Sequence, residues 1–192
     1  MEKTFVDEEE LMLDAYRLGV LIFNSGFRPD FIVGLWRGGS SVGIVVQECL
    51  QYLGVESDHI SLRTSYRGVE TYEKLIEKRD NIRVHGTQYL LENMNADDSL
   101  LIVDDVFSTG LNVEAVINRL KMKMRRNLPH DIRVAVPWYK PGNNKTGRAP
   151  DYYLHETQQW LVLPYELTGM PQEELAERKP AVAEIVAELR SQ

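Results

Sequence analysis

Cysteine is all but missing. Cys49 is the only one in 192 residues, so neither an intrachain disulfide nor a cysteine-ligated zinc site can form. It sits in the apolar stretch GIVVQECLQYL and reads as a small buried hydrophobe. Long hydrophobic runs are missing too: none approaches the ~20 residues that cross a bilayer. The N-terminus carries Glu8, Glu9 and Glu10 where a secretory leader would be basic and then apolar. A soluble, cytoplasmic protein without a membrane partner is expected. Positive charge is in deficit, with 22 Lys and Arg against 29 Asp and Glu and a net charge of -7. That balance disfavours nucleic acid as a partner, because such binding depends on Lys and Arg neutralising phosphates. A small anion is still admissible, held by backbone N–H groups, a few local cations and a divalent metal. Glycine (13) and proline (8) are too scarce for a fibrous or disordered chain, and 43% hydrophobic residues supply a core. No repeat or linker divides the chain, so one domain over residues 1–192 is expected.

Hydrophobic spacing organises that domain. Leu11, Ala15, Leu18 and Ile22 recur at four, three and four residues and predict an amphipathic helix within Val6–Ser25. Phe31–Leu35 reads as a strand, Arg37-Gly38-Gly39-Ser40-Ser41 as a turn, and the next apolar segment, to about Leu53, as a helix. His59–Arg63 predicts a second strand, followed by a long mobile loop from Thr64 to Asp80. Leu100–Val103 is uniformly apolar, as in a strand buried on both faces of a parallel sheet. After it, Val113, Val116, Ile117, Leu120 and Met124 share a helical face, and Ile132–Trp138 is another strand. Strands alternating with helices predict an α/β fold with a mainly parallel sheet flanked by helices. A terminal helix over 172–191 carries an apolar stripe of Val182, Ile185, Val186 and Leu189.

The chemistry concentrates in LLIVDDVFSTGLN, Leu100–Asn112. In an open parallel sheet, ligands lie outside the carboxyl ends of the strands, where Asp104 and Asp105 would project acceptors. Ser108, Thr109 and Gly110 then offer hydroxyls and backbone N–H groups at a helix N-terminus, a site suited to a phosphate monoester. Taken locally, the same residues also read as an acidic strand end followed by a capped helix, and both readings stand.

This segment resembles the phosphoribosyl pyrophosphate (PRPP) motif of the type I phosphoribosyltransferases, and three further segments match that family in order, from about Leu11 to Glu166. VGLWRGGSS (33–41) is similar to the family's pyrophosphate loop, with Arg37, Gly38 and Gly39 as anion binders and a cis peptide implied at Trp36-Arg37. Thr64-Ser65-Tyr66-Arg67 resembles the flexible lid over the reacting centre. VAVPWYKPGNNKTGRAPDYYL and QQWLVLPYE resemble the base-reading elements of the xanthine, guanine and hypoxanthine enzymes. The resemblance implies a type I phosphoribosyltransferase fold with a small base-binding hood at about 138–170. It implies Asp104 and Asp105 on the ribose, and Ser108, Thr109, Gly110, Leu111 and Asn112 on the 5-phosphate. Lys140 would donate to the purine O6, Trp160 would stack on the base and Leu161 would read its edge through the backbone. The implied cofactor is Mg2+, near Asp104 and Asp105 directly or through water, with Glu166 as a further oxygen donor. Implied substrates are PRPP and a 6-oxopurine, and the implied assembly is a homodimer or homotetramer. Tyr66, Ser108 and the two aspartates form the expected catalytic set.

The chain departs from the family where Ser108 replaces the usual acid of the Asp-Thr-Gly turn and Asn112 stands where threonine is common. Serine is a weak general base near neutral pH. Two function classes therefore follow: a purine salvage transferase, and a non-catalytic protein on the same fold that senses PRPP or a nucleotide.

Overall fold

The computed structural model describes residues 3–66 and 82–189. Its main sheet contains β2 (Phe31–Trp36), β3 (Asp58–Tyr66), β4 (Ile82–His85), β5 (Ser99–Val103), β6 (Val106–Phe107), β7 (Asp131–Tyr139) and β8 (Tyr152–Glu156). The strands run in the order β4-β3-β2-β5-β7; β6 continues β5 along one edge of β7, and β8 takes the other edge. All these pairs are parallel except β3 with β4. The fold is thus α/β with a mainly parallel sheet.

Helices cover both faces, which is why β5 is apolar from Leu100 to Val103. Leu101 and Val103 face the cluster beneath α1 (Glu8–Asn24) and α2 (Gly38–Tyr52). Leu100 and Ile102 face the opposite cluster, which includes Val113, Val116 and Leu120 of α4 (Leu111–Met124) and Leu90 of α3 (Gln88–Asn93). Each fully buried leucine or isoleucine contributes about 1.5–3 kcal/mol of transfer free energy. Cys49 is buried on α2. Its Cβ lies where a Gly19 side chain would begin, 2.8 Å from that position, and this lets α1 approach α2 closely.

Three elements differ from the sequence expectation. Thr64, Ser65 and Tyr66 do not begin a loop; they extend β3 and pair with Val84, Arg83 and Ile82. The polar Thr64-Ser65 pair hid the end of β3, and the alternation of β4, Ile82-Arg83-Val84-His85, is only four residues long. Residues 3–5, which gave no signal, form β1 (Lys3–Phe5), a parallel partner of β9 (Trp160–Val162) in a separate two-stranded sheet. The tail folds as two helices, α5 (Gln172–Arg178) and α6 (Pro180–Leu189), because Pro180 supplies no N–H to continue the first. Among the described residues, no helix is long and apolar enough to cross a membrane.

One buried charge ties the helical layer to the sheet edge. Asp14 of α1 is fully buried and accepts from Arg17 Nη1 and His155 Nε2, each at 2.6 Å. His155 of β8 in turn packs against Trp138, with ring centroids 4.4 Å apart. Asp14→Ala is expected to cost about 1–3 kcal/mol, since it removes the buried carboxylate that holds both Arg17 and the half-buried His155 and leaves a space in the helical layer; urea unfolding followed by circular dichroism measures this.

Candidate active site

The parallel register brings the sequence-predicted segments to one edge. Gly34 pairs with Val103, and Val103 with Ala135, so Arg37, Asp104 and Lys140 all emerge beyond the carboxyl ends of their strands. Trp36 pairs with Arg63, which carries Ser65 and Tyr66 past the end of β2 toward the same edge. Ser65 Oγ lies 2.9 Å from His85 Nε2 across the hairpin. Tyr66 ends β3; its side chain, and all of Arg67, lie outside the described residues.

The glycine turn packs directly on the aspartates. The Trp36-Arg37 peptide is cis. A Cβ on Gly38 would lie 1.9 Å from both Asp105 Oδ2 and the Tyr165 hydroxyl, and one on Gly39 would lie 2.5 Å from the Val103 carbonyl oxygen. Only glycine permits that approach. Ser40, in the first turn of α2, has a buried Oγ with no hydrogen-bond partner, an unmet polar group beside the N–H groups that open the helix. Unmet donors at a helix start suit an anion.

Asp104 and Asp105 differ in surroundings. Asp104 Oδ1 accepts the Asp105 N–H at 3.0 Å, and Asp105 Oδ1 accepts the Val106 N–H at 2.8 Å. Burial, reinforced by the neighbouring Asp105 charge, holds the Asp104 carboxyl well above the usual carboxylate range. The Tyr165 hydroxyl donates to Asp105 Oδ2, and burial with that carboxylate pushes the phenol up. Glu166 is turned to a different task from the aspartates: its Oε2 accepts the Leu163 N–H at 3.1 Å and its Oε1 lies 3.9 Å from Arg37 Nη2.

Gly110 precedes α4 at φ 75°, and a side chain there would meet the Phe107 ring at 2.6 Å. The turn before it is braced from the segment after β7. Asn143 Nδ2 donates to Ser108 Oγ at 3.1 Å, and the Lys145 N–H donates to the Thr109 carbonyl at 3.0 Å. Thr109 Oγ1 receives the Leu111 N–H at 3.4 Å. The Leu111 side chain is buried, so only its backbone can face a ligand; Asn112, beside it in the first turn of α4, is half-buried.

Lys140 is buried at the end of β7, with its N–H on the Phe107 carbonyl at 2.9 Å. Its Nζ donates to the Gln159 carbonyl at 2.6 Å and lies 6.0 Å from the centre of the Trp160 ring. Burial pushes the ammonium pKa down. Trp160 is 45% exposed, whereas Leu161, its neighbour in β9, is buried and can offer only backbone. Trp160 and Arg37 line one cavity of 310 Å3, with Lys3, Val162, Glu166 and Glu174, a volume at the lower end of ligand pockets, about 300–1,000 Å3. Lys3 was not legible as a site residue: a three-residue strand places it there, and Glu174 of α5 holds it at 2.8 Å. Asn143 and Tyr165 also escaped notice as partners of Ser108 and Asp105, because both contacts span loops.

A Mg2+ ion prefers oxygen ligands and keeps several waters, so two adjacent carboxylates suffice for it when a substrate supplies the rest. No cluster of three or more metal-ligating side chains occurs among the described residues. The donor set that fits the ion is Asp104 with Asp105, both all-oxygen and both at the strand edge.

Comparison with known proteins identifies the family and the fold. Residues 6–168 match the model of the phosphoribosyl transferase domain. Among solved structures, a purine phosphoribosyltransferase from Pyrococcus horikoshii is similar over 89% of this chain and 99% of its own, with a TM-score of 0.64 and 22% identity. A hypothetical protein from Neisseria gonorrhoeae with bound ppGpp is similar over 96% and 97%, with a TM-score of 0.66 and 16% identity. Among curated proteins, an orotate phosphoribosyltransferase from Staphylothermus marinus is 33% identical over 69 residues, 36% of this chain and 34% of that protein. The matched stretch thus spans about a third of that relative's length. With most of its length inside the domain model, and with the glycine turn, aspartate pair and Ser-Thr-Gly turn gathered at one sheet edge, the chain belongs to the phosphoribosyl transferase domain family.

Proposed function

We propose that the chain transfers the 5-phosphoribosyl group of PRPP to N9 of a 6-oxopurine and releases pyrophosphate, as a purine salvage enzyme. The observation that carries the choice of base is Lys140: its backbone N–H is held by the Phe107 carbonyl just before the phosphate turn, and its buried ammonium donates to the Gln159 carbonyl, 6.0 Å from the Trp160 ring. An ammonium offers only donors. It therefore favours a ring that presents a carbonyl oxygen, as a 6-oxopurine does, over adenine with its amino group. Trp160 supplies a flat apolar face for stacking.

In the reaction the bond between C1′ and the diphosphate oxygen breaks, the bond from C1′ to N9 forms, and the proton displaced from the base passes to water. Asp104 and Asp105 hold the ribose hydroxyls. The turn from Ser108 to Asn112 holds the 5-phosphate with its N–H groups and hydroxyls. Arg37 and the start of α2 hold the diphosphate, where charge develops as the bond breaks. Mg2+, bound beside Asp104 and Asp105, would neutralise the diphosphate, and Glu166 lies on the Arg37 side of the same edge as a further oxygen donor. Tyr66 and Ser65 belong to the covering hairpin, and Arg67 follows them in sequence. Catalysis is then positioning and charge stabilisation.

A second reading has its own support. Ser108 is held by Asn143 and is no carboxylate, and the N. gonorrhoeae structure similar to this chain carries a guanine nucleotide. On that reading the chain binds PRPP or a nucleotide without turning it over.

The deciding experiment incubates the protein with Mg2+ and PRPP against hypoxanthine, xanthine, guanine, adenine and orotate separately, following pyrophosphate and nucleotide. Conversion of one or more 6-oxopurines, with adenine and orotate inert, is expected. PRPP binding without turnover on any base supports the sensor, and turnover of orotate overturns the assignment of base. Lys140→Ala should raise KM for the purine at least about 30-fold, from loss of a charge-assisted hydrogen bond, while leaving KM for PRPP within about threefold. Equal effects on both would remove Lys140 from base reading.

A further inference from the structure

We propose that Lys3 reads the substituent at C2 of the bound purine and selects xanthine, with its C2 carbonyl, over hypoxanthine and guanine. The inference deepens the assignment of the base made above and rests on it. Two lysines from different elements reach Trp160, the stacking face. Lys140 comes from the end of β7, with its ammonium 6.0 Å from the ring centre. Lys3 comes from β1, where it is the in-register partner of Trp160. Side chains of paired residues leave a sheet on the same side, so Lys3 and Trp160 stand next to each other. Both line the 310 Å3 cavity that also holds Arg37 and Glu166.

The Lys3 ammonium is held in place and still has a donor to offer. It donates to Glu174 Oε1 at 2.8 Å and to Oε2 at 2.9 Å. An ammonium carries three donors, and the third has no partner among the described residues. The clamp joins the first strand to α5 across 171 residues and fixes the head group at the cavity wall, the kind of preorganisation that favours binding. Of the two groups, Lys3 is the more accessible, with its side chain 46% exposed against 21% for Glu174. Glu166, the other carboxylate of the cavity, already accepts the Leu163 N–H and faces Arg37. Beside Trp160 the wall therefore presents donors.

The groups at C6 and C2 of a purine flank N1 on one edge of the ring. With O6 on Lys140, the C2 position falls to Lys3. A carbonyl there accepts the third donor. Hypoxanthine has only hydrogen at C2 and leaves the donor unmet, and the amino group of guanine sets donor against donor. A site arranged to hydrogen-bond one group discriminates against the analogue that lacks it.

Isothermal titration with the 5′-monophosphates of xanthosine, inosine and guanosine tests this without requiring turnover. The xanthosine nucleotide should bind at least about tenfold more tightly than the other two, as one charge-assisted hydrogen bond at a half-exposed lysine allows. Lys3→Met, similar in length and without a donor, should erase that margin at an unchanged thermal midpoint of the ligand-free protein. The wild-type order of the three nucleotides is a test independent of any variant. No preference for the xanthosine nucleotide, or a preference that survives Lys3→Met, overturns the role of Lys3 and leaves Lys140 and the 6-oxopurine assignment standing. Binding of none of the three overturns that assignment and this inference with it.

Discussion

Asp104→Asn is expected to lower turnover of PRPP about 100–1,000-fold and at the same time to raise the thermal midpoint of the ligand-free protein at neutral pH. The two effects have one source. Asp104 is desolvated and sits against Asp105, so its carboxyl holds a proton well above the usual carboxylate range. A carboxyl whose folded pKa exceeds its unfolded value of about 3.9 binds its proton more tightly in the folded state. At pH values below 3.9 it is protonated in both states and costs nothing. As pH rises from there toward the raised value, the unfolded chain ionises first and stability is lost; above the raised value the loss is complete. Asparagine has no proton to lose and keeps an oxygen for the Asp105 N–H. Thermal melts should therefore coincide near pH 4 and separate by pH 8 in favour of the variant, each kcal/mol moving the midpoint by about 2–4 °C. The catalytic loss follows because the amide carries no charge with which to hold ribose hydroxyls and a metal. A variant no more stable than the wild type at pH 8 would mean that Asp104 is not strained by its surroundings. Unchanged turnover, in a protein shown to be active, would remove it from the site. Stability given up for a charged site is the usual trade in enzymes.

How much of this was legible beforehand depended on the range of the interaction. The β5 run Leu100–Val103 and the α4 stripe are local patterns set by burial on one or two faces, and both elements lie where spacing put them. The order Arg37, Asp104, Lys140 along one edge follows from parallel strands with helical crossovers, which the alternation predicted. The departures come from contacts between residues far apart in sequence. Lys3 meets Trp160 only because a three-residue strand finds β9 more than 150 residues later. Asn143 reaches Ser108 across 35 residues, and Tyr165 reaches Asp105 across 60. No period in the sequence encodes such pairs.

Gly38 and Gly39 allow the site to be separated from the fold that carries it. The two glycines are adjacent, and alanine at either needs a methyl group where the structure has none to spare. What each methyl meets is different in kind. At Gly38 the nearest atoms are Asp105 Oδ2 and the Tyr165 hydroxyl, each at 1.9 Å, both the ends of side chains that can rotate away. At Gly39 they are the Val103 carbonyl at 2.5 Å and Asp104 Cα at 2.7 Å, backbone of the central strand. Gly38→Ala should therefore leave the fold largely intact, within about 1–3 kcal/mol, because rotating Asp105 away breaks only its bonds to the Tyr165 hydroxyl and the Val106 N–H. PRPP affinity should nonetheless fall at least about 100-fold, since that rotation carries Asp105 out of place and fills the space over the aspartates. Gly39→Ala should instead cost about 3 kcal/mol or more of stability, the price of overpacking against atoms that cannot yield without moving β5. Isothermal titration with PRPP and Mg2+ beside urea unfolding of both variants reads the two quantities separately. Loss of stability in both with PRPP binding retained would show the glycine turn to be a packing device. Loss of binding in Gly38→Ala at near-native stability would place the anion directly over the two aspartates, where the helix start and Arg37 converge.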